Sequence, residues 1–83
     1  MSDVETMPNI GKVLGERLRK VGIDTSEKLA AMGDADAFLR LCEQFPDDAC
    51  VHTRLALAGA VRGIRWHDLP QEVQDDVTRG LAE

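Results

Sequence analysis

Apolar residues in this chain recur at three- and four-residue spacing, and no segment alternates in the two-residue rhythm of a half-buried strand. That period predicts an all-α fold, a compact bundle of about five short helices. Ile10, Leu14, Leu18 and Val21 share one face of a first helix over about residues 12–21, and Gly22 stands where a left-handed residue ends a helix. Thr25 or Ser26 caps a short second helix that carries Leu29 and Met32 and stops at Gly33. Asp34 is placed to cap a third, over about residues 35–44, with Phe38, Leu41, Cys42 and Phe45 inward. Pro46 breaks the chain, and Asp47 or Asp48 caps a fourth helix that runs to Arg62 and closes at Gly63. In that fourth helix Val51, Leu55, Ala58 and Val61 form one stripe, Leu57 and Ile64 extend a second, and Ala56, Gly59 and Ala60 let neighbours approach. A helix apolar over most of its circumference is buried, so it is the expected centre of the core. The last helix begins at Pro70 and shows a narrow stripe of Leu69, Val73, Val77 and Leu81, which suits a lid on that core.

The 83 residues make one domain, 1–83, with short loops and no linker or internal repeat. A chain of this size buries only about 60 to 65% of the surface its unfolded form exposes, so its stability margin is small. Leu55 to Val61 is the longest uncharged apolar run, enclosed by Arg54 and Arg62 and far short of the roughly 20 residues that span a bilayer. The first six residues are acidic and carry no apolar signal region, so the chain reads as cytoplasmic. In that compartment Cys42 and Cys50 are expected as reduced, helical core residues. With His52 they are too few for a closed four-ligand zinc site, and no metal or cofactor is expected. Gly15 and Gly59, inside predicted helices, are read as points of close helix packing.

Charge is uneven along the chain. The total is −5, yet residues 8–22 hold Lys12, Arg17, Arg19 and Lys20 against Glu16 alone, a local +3. The rest, with six basic and fourteen acidic residues, carries −8. The Pro8-Asn9-Ile10-Gly11 turn leads directly into the basic helix, whose first amides have no intrahelical partner and sit at the positive end of the helix dipole. This arrangement suits an anion: Gly11 lets backbone approach a phosphate, Lys12 and Arg17 add charge, and Ile10 anchors the hairpin. It equally suits a plain tight helix entry with a solvated basic face, stabilised by the Glu16 and Lys20 pair. A second dense cluster is Arg65-Trp66-His67-Asp68-Leu69-Pro70. Trp66 reads as a core or rim anchor with its indole N–H on a carbonyl, and Asp68 as the cap of the last helix. His67 beside Asp68 could be a base and its orienter, but no nucleophile accompanies them, so an enzyme is not expected. Trp and Arg are over-represented at protein-binding hot spots, which makes Arg65, Trp66 and His67 a candidate docking edge.

The stretch from Met7 through Pro-Asn-Ile-Gly-Lys-Val-Leu-Gly-Glu-Arg-Leu-Arg-Lys-Val-Gly-Ile, followed by Leu-Ala-Leu-Ala-Gly-Ala-Val-Arg-Gly-Ile-Arg-Trp at 55–66 and His-Asp-Leu-Pro, resembles the C-terminal domain of the TfoX/Sxy family. The likeness covers about residues 7–81, and its specificity lies in the order of the two blocks. Members of that family regulate natural competence in bacteria. The resemblance implies a helix-hairpin-helix-like fold and a non-enzymatic, transcriptional role exercised with a cyclic-AMP receptor protein. Two functions are therefore expected in competition. One is contact with DNA backbone, without base reading, through Asn9, Gly11, Lys12, Arg17, Arg19 and Lys20. The other is an adaptor that docks a transcription factor or polymerase through the acidic remainder and the Trp66 region.

Overall fold

The structure, a computed structural model, describes residues 2–82, and side chains through residue 79. Five α-helices follow one another: α1 (Lys12–Lys20), α2 (Ser26–Met32), α3 (Asp34–Gln44), α4 (Val51–Arg62) and α5 (Gln71–Ala82). Three single 3-10 turns lie between or before them, at Val4–Thr6, Pro46–Asp48 and Trp66–Asp68. No strand occurs among the described residues; an isolated bridge pairs Asp3 with Thr25. The element before the Pro8–Gly11 turn is the single 3-10 turn Val4–Thr6, so no α-helix precedes this turn among the described residues.

Helix α4 is the wall between two apolar cores, and the reason is its sequence. Leu57 and Ala60, three apart, face Val4, Ile10, Leu18, Ile23, Leu29, Ala37, Phe38 and Leu41. Leu55 and Ala58, also three apart on the other side, face Leu69 and Val77, with Ile64, Trp66 and Val73 packed at the edge. The first core therefore collects α1, α2 and α3, while the second is the seat of α5. Of the stripe predicted for α5, Leu69 and Val77 are buried and Val73 is half-buried; Leu81 lies outside the described side chains.

Residues 2–6 belong to the fold, although the resemblance read from the sequence blocks starts only at Met7. Val4 is fully buried in the first core. Its N–H donates to the carbonyl of Asp24 at 3.1 Å, and the N–H of Ser26 donates to Ser2 at 2.9 Å. The segment is thus a strap across α1 and the start of α2.

Several local expectations give way to tertiary demands. Asp34 is not a cap: Gly33 holds that position with φ 88° and ψ 156°, a conformation that side chains with a Cβ disfavour, and Asp34 is the first residue of α3. Its carboxylate instead bonds the guanidinium of Arg54 and lies 3.6 Å from that of Arg62, tying α3 to α4. Asp47 and Asp48 sit in the 3-10 turn, and α4 starts at Val51 behind Cys50. That later start leaves Val51 exposed and puts Thr53 inward. Cys50 is exposed at the helix entry, its Sγ 3.4 Å from Thr53 Oγ1, and Cys42 is half-buried at the edge of the first core. Asp68 is exposed in its turn; the carbonyl of Pro70 accepts from Val73 and Gln74, so Pro70 precedes α5.

Burial alone would raise the Asp34 carboxyl, but the hydrogen bond and charge of Arg54 and the charge of Arg62 outweigh it and hold Asp34 below its ordinary value of 3.8. A carboxyl depressed in the folded state stabilises the fold above its unfolded pKa and stops doing so as pH falls through the folded one. Acid unfolding of the wild type is therefore expected to steepen below about pH 4. Asp34→Asn should be less stable at neutral pH and show a flatter acid limb in pH-dependent chemical denaturation.

Candidate interaction face at the Asn9 clamp

The two clusters that stand 50-odd residues apart in sequence are joined in space by one side chain. Asn9 has φ 71°, which makes it the positive-φ residue other than glycine among the described residues. Asparagine tolerates this region because its short amide bonds locally or to nearby backbone. Here the amide turns inward. Nδ2 donates to the carbonyl of Ile64 at 2.9 Å and, more weakly, to that of Ala56 at 3.4 Å, while Oδ1 accepts the N–H of Trp66 at 3.0 Å. Both amide ends are used, and together they hold the chain as it leaves α4 against the hairpin.

Gly59 is what makes room. A Cβ there would lie 2.4 Å from Asn9 Nδ2 and 2.7 Å from the carbonyl oxygen of Ile64. The close-packing role expected of this glycine is thus met by a hydrogen-bonded clamp and not by a second helix. Ile10, the next residue in the hairpin, is buried in the first core.

The basic residues of the hairpin helix separate into two groups. Arg17 Nη1 is 2.9 Å from Asp48 Oδ2, and the guanidinium carbon is 5.0 Å from the centre of the Phe45 ring. Arg19 Nη2 is 2.7 Å from Asp3 Oδ1 and also bonds Glu5 Oε2. The hydrogen bond to Asp3, then that to Glu5, raises the Arg19 pKa still further, and the same bond from Arg19 lowers that of Asp3. Lys12 and Lys20 are exposed and make no ion pair among the described residues; the Glu16–Lys20 pair is not formed. Gly11 begins α1 in an extended conformation with φ −85°, and a Cβ on it would meet nothing within 4 Å. Neither dihedral angle nor packing requires glycine at that place. The expected six residues therefore do not present one outward face: Gly11, Lys12 and Lys20 are open, Arg17 and Arg19 are engaged internally, and Asn9 points into the protein.

On the other side of the clamp, Trp66 is half-buried against Leu55, Ala58, Leu69 and Val77. Two imidazoles meet it edge-on: His67 at 5.1 Å between centroids and 89°, and His52 at 5.8 Å and 87°. The indole N–H has no acceptor among the described residues, so it is not on the carbonyl expected for it. Arg65 and His67 are exposed. His52 is the member of this cluster that sequence alone does not supply, since it comes from the first turn of α4 and only packing brings it to Trp66. Elsewhere, hydrogen bonding from Thr53 lowers the Cys50 thiol, and burial raises that of Cys42. Among the described residues no group of three or more potential metal ligands comes together, and no helix is long and apolar enough to cross a membrane.

The fold is a small all-helical domain in which the Asn9 hairpin clamps the turn after α4, where Trp66 meets His52 from the start of that helix. The chain belongs to the TfoX C-terminal domain family, a family of regulatory type, which matches residues 1–80. That span includes the strap. The fold is similar to an uncharacterized protein from Listeria monocytogenes in a triclinic crystal form, at 40% identity and TM-score 0.87, over 93% of this chain and 86% of that one. It is likewise similar to a protein of unknown function from the same organism in a tetragonal form, at 39% identity and TM-score 0.90, over 96% of each chain. No curated protein matches.

The clamp makes a chemical prediction. Asn9→Asp keeps the acceptor for Trp66 but replaces the amide donor with an oxygen facing two carbonyls, which favours the protonated acid in the folded state. A folded pKa raised in this way gives stability that is lost as pH rises through it. Asn9→Asp should therefore be destabilised at pH 7 by about 1–3 kcal/mol and recover partly in acid, whereas Asn9→Gly, which relieves φ but loses the bonds, should not recover. Urea denaturation at pH 4 and 7 distinguishes them.

Proposed function

We propose that this domain is a non-enzymatic regulatory adaptor that docks a protein partner through Arg65, Trp66 and His67, joined by His52. The observation that carries this reading is Trp66 itself: a half-buried indole on a turn anchored by Asn9, flanked by two imidazoles and next to an exposed arginine. Anchors of this kind dominate binding energy because they lose little freedom on docking. The −8 carried outside the hairpin segment supports a protein partner over a nucleic acid, since phosphate would be repelled over most of the surface. Family membership supports a role in competence regulation, with a transcription factor or polymerase as the docked protein. Trp66→Ala is expected to weaken capture of the partner by about 30-fold or more, the cost of losing a hot spot of about 2 kcal/mol. The comparison is made with wild-type and variant baits of equal helical content. A partner retained equally by both would remove the reading.

A second reading is favoured by a separate observation: the uncapped start of α1 at Gly11 is open with Lys12 unpaired beside it, and Lys20 is unpaired at the far end of the same helix. It is a weak contact with DNA backbone, not sequence-specific. With these two lysines the logarithm of the binding constant should fall by about 2 per decade of salt. Titration of a short duplex should lose this dependence in Lys12→Glu/Lys20→Glu, and an unchanged titration would discard the contact.

A further inference from the structure

We infer that the acidic strap is an intramolecular competitor for phosphate, which masks Arg19 and so sets how strongly α1 meets a polyanion. The inference rests on the backbone-contact reading given second above. Its geometry is specific. A single nitrogen of Arg19, Nη2, takes both Asp3 Oδ1 and Glu5 Oε2, so two carboxylates stand on the guanidinium where the oxygens of a phosphate would otherwise stand. Glu5 reaches that position because Gly15 has no side chain: a Cβ on Gly15 would lie 2.4 Å from Glu5 Cγ. The glycine inside α1 is thus the seat of the masking residue.

The strap does not need these carboxylates to stay in place. Val4 is fully buried, and backbone bonds from Val4 to Asp24 and from Ser26 to Ser2 hold the segment on either side of Asp3. The remaining role of the Asp3 side chain, accepting the N–H of Glu5 at 2.8 Å, is one that an amide oxygen also performs. The mask itself is open to solvent, with side-chain exposures of 32% for Arg19, 51% for Asp3 and 35% for Glu5. An exposed ion pair is a weak, salt-screened contact that an incoming phosphate can replace. Arg19 is seven residues, about two turns, from the exposed Lys12 on the same side of α1, so unmasking it adds a cation to a face that already has one.

The test uses the full chain and a labelled 20-base-pair duplex, with anisotropy titrations across a series of salt concentrations. Asp3→Asn/Glu5→Gln changes the net charge from −5 to −3 by removing two acids. Glu72→Gln/Asp75→Asn on α5 makes the same change away from α1 and is the matched control. The strap variant should bind more tightly than the control and have a salt slope steeper by about one contact. Adding Arg19→Gln to it should return both quantities to the control's. Circular dichroism verifies the fold, and Glu5→Gln alone serves if the double variant melts early. Equal titrations of strap variant and control overturn the inference, as does a gain that survives Arg19→Gln. If the strap variant matches the control while Lys12→Glu/Lys20→Glu abolishes wild-type binding, the backbone contact stands and only the masking falls. If no variant binds the duplex, both fall.

Discussion

One primary amide, that of Asn9, closes the longest-range contact described in this small protein. Its hydrogen bonds to Ile64 and Trp66 bridge separations of 55 and 57 residues. Closing so large a loop is entropically costly in a chain of this size, and a two-ended amide suits the task because it answers a carbonyl and an N–H at once. The bulk of the arrangement depends on it. The hairpin enters α1 with Ile10 in the first core, and the turn that carries Trp66 has its backbone secured by the same amide. Gly59 is the complementary half of the device, since any larger residue would occupy the place of the amide.

Charge in this protein is organised by pairing across elements more than by patches. Arg17 meets Asp48, Arg19 meets Asp3 and Glu5, and Arg54 and Arg62 converge on Asp34. In the Asp34–Arg54 pair both partners are shielded from water, and there the loss of hydration is met by a second guanidinium, that of Arg62, near the same carboxylate. The pairs of Arg19 are surface contacts whose contribution to stability is small, while Arg17 reaches a carboxylate that is itself largely shielded. Their effect is on what remains available to a partner. A helix that reads as strongly basic along the chain presents fewer free cations once folded.

The helices were largely legible in the sequence because period and punctuation are local. The ends of α1, α2 and α4 at Val21, Gly33 and Gly63 follow from glycine and apolar spacing, and the buried character of α4 follows from its composition. What was not legible depends on contacts between distant residues. Asp34 has the same local signature whether it caps a helix or bonds an arginine 20 residues away. Asn9 in a hairpin reads as outward and solvated, and nothing nearby in sequence reveals the carbonyls waiting at Ala56 and Ile64. His52 joins Trp66 only through the packing of α4, and the strap's Val4 is a single apolar residue in an acidic stretch, with no period to announce it. The engagement of Arg17 and Arg19 was also hidden, because a count of basic residues does not record which of them already have partners.

The double membership of α4 has a dynamic meaning. Leu55 and Ala58 hold α5 on one side while Leu57 and Ala60 complete the core of α1 to α3 on the other. Among the described residues the α5 side is the smaller of the two clusters, and an opening there need not dissolve the first core. Such an opening would take away the packing beneath Trp66 but leave the Asn9 bond to its backbone. The indole would then change its exposure while its backbone stayed pinned, which would let the proposed docking surface adapt without unfolding its scaffold.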